Sequence, residues 1–421
     1  MLRYAAVAGH KLQKAISACE LIQVSASWPI LNRSAVPVSL ASYATGADVT
    51  EQKLAERWEV PAGSDLRVST RSPAAVNIVF GEPDAISVQV DWKALPGSLP
   101  RFAIHKANAA CIEVSEAVVE SDSPAVIHAQ IPARFCSLDL ATAGGDVKLE
   151  GVQEARLAVR SNGGNVDVGK TRATQATIST GAPGSPSPGG SLSGNLTAAS
   201  ANIWTNGGSI HLSKFLGKQL SISSARELLA AVIEVPSLVA DIKIDAAYAE
   251  HIFIDSGGLK LVVGELNCRP GAAMLQTSGA ALEVSGLDGS AVLQSRGGPM
   301  QLRVHKNALS VYADSGGADI ACYIPPDLVG HVSMLGRRLH IPPDLQASEG
   351  LQGRRMWNVM ELQGSQREDG RLSGRQPMEL SNSSEEVQKA GITLDAGLKG
   401  TITVQQQSWL AAIAAKQGLK R

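Results

Sequence analysis

Apolar and polar residues alternate along most of this chain, and from about residue 136 the alternation recurs in a fixed frame. Alternating apolar positions are followed by Ser, Thr or Asp, any residue, Gly-Gly, and alternation again. The first copy reads Leu138-x-Leu140-x-Thr142-Ala143-Gly144-Gly145-x-Val147-x-Leu149, and the next Leu157-x-Val159-x-Ser161-Asn162-Gly163-Gly164-x-Val166-x-Val168. A third is Ile203-x-Thr205-Asn206-Gly207-Gly208-x-Ile210-x-Leu212. Later copies centre on Gly257-Gly258, Gly279-Ala280, Gly297-Gly298 and Gly316-Gly317, often about 18 to 19 residues apart. Larger gaps hold degenerate copies, such as Ile222-Ser223-Ser224-Ala225-Arg226, or an insertion.

Period-two alternation places Leu, Val and Ile on one face of a strand. Gly-Gly supplies the positive φ angles of a sharp corner, which makes Gly144, Gly145, Gly163, Gly164, Gly207, Gly208, Gly257, Gly258, Gly297, Gly298, Gly316 and Gly317 the expected structural corners. The Ser, Thr or Asp before each pair is expected to hydrogen-bond a nearby backbone amide. At Gly257-Gly258 and Gly316-Gly317 the apolar residues shift by one position on both sides of the turn. A single repeat cannot bury its own apolar stripe, so copies must stack. A parallel solenoid and an antiparallel meander with Gly-Gly hairpins both satisfy the pattern.

This frame resembles the bacterial putative-adhesin domain, a family of unknown function with a β-solenoid-like fold. The layout is most similar to its eukaryotic branch, family with sequence similarity 185 member A. The resemblance covers roughly residues 58 to 410 and adds three features to the repeats. These are Trp58-Glu59-Val60-Pro61 opening the first strand, Val126 to Pro132 leading into the repeats, and Gly400-Thr401-Ile402-Thr403-Val404 before Ser408-Trp409-Leu410. It implies an all-β, β-solenoid-like stack of short strands and brings no catalytic residues with it. The Gly/Pro/Ser insertion around 181–190 and the polar stretch around 343–390 depart from the family pattern.

Five segments are expected. Residues 1–46 read as an organellar transit peptide, 47–135 as an N-terminal β cap or small sandwich, and 136–342 as the Gly-Gly repeats. Residues 343–390 read as a polar, disordered insertion, and 391–421 as terminal strands and a short helix from Ser408 to Lys416. The transit-peptide reading rests on the charge pattern: Glu20 is the only acid before Ala47, while Arg3, Lys11, Lys14 and Arg33 are basic and serines recur. On a helix Arg3, Lys11 and Lys14 share a face opposite Ala5, Ala8, Leu12 and Ile16. The mitochondrial matrix is the expected destination and the plastid the alternative.

Composition narrows the function. The net charge is -1, from 38 basic and 39 acidic residues, so no global excess favours nucleic acid. No apolar run approaches the ~20 residues of a membrane-spanning helix. Cys111, Cys136, Cys268 and Cys322 have no metal or disulfide spacing and read as buried free thiols; Cys19 lies in the targeting segment. The eight histidines, His105 and His128 included, lack ligand spacing. No phosphate loop or nucleophile elbow is present.

No cofactor or metal is therefore expected. Asp146, Asp167, Asp255, Asp314 and Asp319 sit near corners, where Asp favours turns; aligned along one edge they would instead suggest a glycan- or polyanion-active β-helix enzyme. Of the aromatics, Trp204, Tyr248, Phe253 and Tyr312 lie in the repeats, with core packing as an alternative to ligand contact. Basic residues cluster at Arg337-Arg338 and Arg354-Arg355, as a solvated loop or an anionic docking patch. The favoured expectation is a non-enzymatic scaffold with an unidentified protein partner; a peripheral envelope-associated protein is a further alternative.

Overall fold

The computed structural model describes residues 50–94, 101–117, 124–132, 134–181, 189–224, 240–326, 328, 330–341, 355–361 and 390–406. Among these there is no helix, and the 23 strands belong to one continuous hydrogen-bonded sheet. The targeting segment 1–46, most of the insertion at 181–190, most of 343–390 and the Ser408–Lys416 helix lie outside the described residues.

Two parallel ladders run through the repeats. An entry ladder carries the strand leading into each corner. It pairs Leu157 with Leu138, Val159 with Ile178, Ile178 with Ile203 and Ile203 with Ile222, and continues through Ile254, Leu275 and Leu293 to Ala313. An exit ladder carries the strand leaving it, in a column from Val147 through Val166, Leu192, Ile210, Ile242, Leu261, Leu282 and Met300 to Ile320. Strands such as Val166–Ser179, Leu192–Trp204 and Ile210–Ser223 run from the exit ladder, across a connecting side, into the next entry ladder. Because every pairing in the repeats is parallel, the hairpin meander is ruled out for them.

Packing follows from this registry. Each rung lays its inward residues directly on those of its neighbours, so aliphatics form continuous columns. In Leu192–Trp204 the inward Leu192, Leu196, Ala198, Ala201 and Ile203 are all at most 2% exposed. Burying a full aliphatic side chain contributes about 1.5–3 kcal/mol, and the columns repeat that gain at every rung.

Both ends of the stack are interleaved. Asp65–Ser69 pairs in parallel with Cys111–Glu116 on one side and Ser137–Ala141 on the other. Ala74–Phe80 likewise lies between Ala125–Ile131 and Val147–Leu149. The parallel stack therefore starts at an inner rung, builds the outer one, and returns past the first. At the other end Ala390–Gln406 pairs with 310–314 and 320–324 on one side and with Gly330–His340 on the other. The last described strand thus closes a gap between rungs laid down earlier.

Residues 47–135, expected as a cap or sandwich, supply two rungs of the main ladders as well as antiparallel cover. Phe102–Asn108 covers Cys111–Glu116, and Ala85–Ala94 covers Ala125–Ile131 with Thr50–Glu59 outside it. The outermost strand carries Glu51, Lys53, Glu56, Arg57 and Glu59, and such charge discourages pairing with another chain. Within the polar stretch 343–390 one strand is described, Arg355–Glu361, paired in parallel to Gly330–His340, whose edge offers a template.

Candidate interaction surface

The corner is organised by its hydroxyl. Thr142, Ser161, Thr180, Thr205, Ser224, Ser256, Thr277, Ser295 and Ser315 stack on consecutive rungs, each at most 1% exposed. Across the turn Thr142 Oγ1 donates to Gly145 O at 2.8 Å, Thr205 Oγ1 to Gly208 O at 3.0 Å, Ser256 Oγ to Leu259 O at 2.7 Å and Ser315 Oγ to Ala318 O at 2.6 Å. Ser161 and Ser295 donate in the same way to Gly164 O and Gly298 O. The hydroxyl therefore donates to a carbonyl, whereas the sequence pattern suggested a bond to an amide. A buried carbonyl facing the interior needs a donor, and a hydroxyl supplies one. The amide-binding role belongs to Asp: Asp255, Asp314 and Asp395 accept from the amides of Gly257, Gly316 and Gly397 at 2.8–3.0 Å.

Counted from the hydroxyl, the glycines fall into place. The residue two after it is Gly144, Gly163, Gly207, Gly258, Gly279, Gly297 or Gly317, always with positive φ, between 76° and 120°. The next residue is Gly145, Gly164, Gly208 or Gly298 where the neighbouring rung crowds in. A Cβ on Gly145 would lie 1.9 Å from Ala74 O, and one on Gly298 2.0 Å from Ala280 O. Gly257 and Gly316 stand one place earlier and also have positive φ, at 57° and 65°. The one-residue shift in the sequence is thus a shift of the glycine pair against an unmoved hydroxyl. The insertion at 181–190 leaves from this same corner, since Thr180 Oγ1 donates to Gly190 O at 2.6 Å.

The five corner aspartates do not converge. Asp146 accepts from Asn165 N, Asp167 from Gly169 N and Asp319 from Thr401 N, all at 2.7–2.9 Å. With Asp255 and Asp314 engaged as above, every one of them secures backbone. His105 lies 3.6 Å from Glu113 on the outer antiparallel pair, and His128 is exposed. No group of three potential metal ligands occurs among the described residues. Cys111, Cys136, Cys268 and Cys322 are buried free thiols. Burial pushes Cys136 and Cys322 up to about 12 and Cys268 to about 11, which keeps them protonated and poorly nucleophilic. Of the basic clusters, Arg337 and Arg338 lie in the strand Gly330–His340, and Arg354 is outside the described residues.

The four aromatics singled out in the repeats are not core, although Phe215 is buried there. Trp204, Phe253 and Tyr312 all point outward from the entry ladder and are partly exposed, and Tyr248 points outward from the connecting side. Phe253 is in register with Met274, Met274 with Val292 and Val292 with Tyr312. Four consecutive rungs therefore carry a line of partly exposed apolar side chains on a parallel face. A row of Asp255, Gln276, Gln294, Asp314 and Asp395 runs along one side, with Gln276 Nε2 donating to Asp255 Oδ2 at 2.7 Å. On the other side the neighbours are the exposed His251 beside Phe253 and then the small Ala272, Ser290 and Ser310, which leave Met274, Val292 and Tyr312 less covered. Partial burial, with Asp314 and Asp395 close by, raises the Tyr312 pKa and keeps the phenol neutral.

Met274 and Val292 went unnoticed in the sequence because alternation assigns apolar residues to the inside. Each stands three residues before a corner hydroxyl, as do Phe253 and Tyr312, and that offset identifies the outward column. The Arg101–Glu116 pair was also missed. Arg101 Nε donates to Glu116 Oε1 at 2.7 Å, both side chains are at most 1% exposed, and Glu116 Oε2 accepts from Arg71 N and Ser72 N at 2.7 and 2.8 Å. Burial alone would raise the Glu116 pKa, but these bonds and that from Ser72 outweigh it and lower it. The pair clamps the corner between Asp65–Ser69 and Ala74–Phe80.

No helix among the described residues is long and apolar enough to cross a membrane. No known family model matches the chain, and no curated protein matches it. Among solved structures the chain is similar to a "putative adhesin" from Bacteroides fragilis NCTC 9343, at 9% identity over 65% of this chain and 96% of that one, with a TM-score of 0.25. It is also similar to a "putative cell adhesion protein" from Clostridium sporogenes, at 7% identity over 85% of this chain and 100% of that one, with a TM-score of 0.16. At these identities and TM-scores the likeness assigns neither activity nor partner.

Proposed function

We propose that this chain is a non-enzymatic β-solenoid scaffold that binds a protein partner through the line Phe253, Met274, Val292 and Tyr312. The carrying observation is the registry of four outward apolar side chains on one face of the parallel sheet, which the fold does not require. Contiguous apolar surface with a polar border marks interaction sites, and large aromatic and Met side chains are enriched in them. The solenoid reading is supported by the two parallel ladders and by the corner frame that resembles the putative-adhesin family. The glycan-cleaving reading needs free carboxylates, and the corner aspartates are each engaged by backbone amides. The acid-poor, serine-rich 1–46 segment supports a mitochondrial site of action.

Proximity labelling in living cells tests both parts, with the labelling enzyme fused after Arg421 and the N-terminus free. The expected result is a matrix profile dominated by one assembly, with that assembly lost in Phe253→Ser/Tyr312→Ser. Cytosolic or secretory neighbours would overturn the location. An unchanged profile in the double variant would overturn the binding face.

A further inference from the structure

A second surface lies on the connecting side, away from the apolar line, and it is cationic. Four neighbouring rungs place Lys170 beside Asn195 and Asn195 beside Lys214 in one column, with Gln153 beside Arg172 and Arg172 beside Thr197 in the next. Rungs lie about 4.8 Å apart, so the Lys170 and Lys214 backbones are on the order of 10 Å apart, with Asn195 between them. Arg172 stands on the Lys170 strand, in the adjacent column. The six side chains line one shallow open depression.

The local backbone builds this arrangement. The register between Asp167 and Lys170 shifts as the chain leaves the exit ladder. Gly169 takes φ 51° there, and its amide donates to Asp167 Oδ1 at 2.9 Å. A bulge of this kind re-aims the side chains that follow it. Thr171 turns inward and donates to Val168 O at 2.6 Å, which leaves Lys170 and Arg172 both pointing out. At the far rim the Lys214 ammonium lies 5.6 Å above the Tyr248 ring, whose phenol donates to Glu265 at 2.9 Å.

Its charge pattern is one-signed. On other parts of the stack several outward cations sit beside acids: Lys148 with Glu150 at 2.9 Å, Lys243 with Asp245 at 3.4 Å, Lys260 with Glu283 at 2.8 Å and Arg269 with Asp288 at 3.1 Å. No carboxylate lines the depression, and among the described residues none of Lys170, Arg172 and Lys214 forms an ion pair. Asn195, Thr197 and Gln153 add neutral donors between the cations. Three cations and three neutral donors around one concavity, with one cation a planar guanidinium, match a multiply charged oxyanion.

We infer that this depression binds a phosphate- or sulfate-bearing small ligand, with Lys170, Arg172 and Lys214 neutralising the oxyanion. Arg172 offers two parallel N–H groups to one pair of oxygens, and the lysines approach as point charges, Lys170 from the same strand and Lys214 from two rungs away. The inference is independent of the apolar line, which lies on another side of the stack.

Calorimetric titration of the full chain with inorganic pyrophosphate, at constant ionic strength, tests it. Saturable binding is expected, weakened at least about tenfold in Lys170→Gln/Arg172→Gln through loss of two charge-assisted contacts. The control Lys148→Gln/Lys260→Gln removes the same charge from paired positions and should bind as the parent does. Circular dichroism of each variant confirms folding. No saturable heat from the folded parent, or equal weakening in the control, would overturn the site. Flotation with phosphatidic acid vesicles separates the sources: capture lost in the Lys170/Arg172 variant assigns a lipid headgroup, and pyrophosphate binding without capture assigns a soluble ester.

Discussion

Two lines run along the stack, and they behave differently. The corner line repeats one chemistry from Thr142 to Ser315, a buried hydroxyl donating to a carbonyl, across its own turn in most rungs and to Ser256 O of the next rung at Ser224. The outward line of the entry ladder, three residues before it, runs through Asp139, Ala158, Thr177, Asn202 and Ser221, continues as Phe253, Met274, Val292 and Tyr312, and turns polar again at Thr393. The backbone is the same along both halves, so folding does not demand the change. Uniform chemistry marks what the corner needs in order to form. The change halfway marks a position the fold leaves free, and there binding is the simplest use of apolar surface.

Predictions follow from this division, with the greatest loss of stability expected where the corner is clamped most heavily. Glu116→Ala strands Arg101 without its partner inside the protein and should cost about 3–5 kcal/mol in urea unfolding. The effect depends on pH. The folded pKa of Glu116 is lowered, so its contribution is present above the unfolded value of about 4.3 and is lost as pH falls through the lower folded value. The gap between parent and Glu116→Gln should therefore narrow below about pH 4, and a gap that widened on acidification would contradict the assignment.

Gly298→Ala drives a methyl to 2.0 Å from Ala280 O and should cost ~3 kcal/mol, the upper end of overpacking. Thr205→Val keeps the shape but leaves Gly208 O without its donor, a loss of about 1–2 kcal/mol by the same measurement. On the outward line Val292→Ser and Phe253→Ser should change stability by no more than about 0.5 kcal/mol, as surface substitutions do. If Phe253→Ser unfolded the protein as readily as Thr205→Val, the two lines would not be distinct.

How much of this was legible in the sequence depends on the distance over which each feature acts. The rungs and their inward residues show in the alternation, since side-chain direction in a strand follows from position alone. The frame was harder to read. Gly-Gly is the more conspicuous signal, yet the pair slides by one residue between Gly144-Gly145 and Gly257-Gly258 while the hydroxyl stays fixed. The direction of the hydroxyl bond was also illegible, because Ser and Thr can donate or accept and only the buried carbonyl decides. Interleaving at the two ends and the Arg101–Glu116 clamp depend on pairings between distant segments, which periodicity does not encode. The apolar line was hidden by the rule that revealed the core. An outward Met or Val differs from an inward one only by a single register step.

The binding role of the outward line is tested most directly by site-specific photocrosslinking in cells. A photoreactive amino acid is placed at Met274 in one strain and at Asn202, in the polar half of the same column, in another. The predicted result is one dominant crosslinked protein from position 274, removed by Phe253→Ser, and none from position 202. Equal crosslinking from both positions, or none from 274 in the folded protein, would contradict the account.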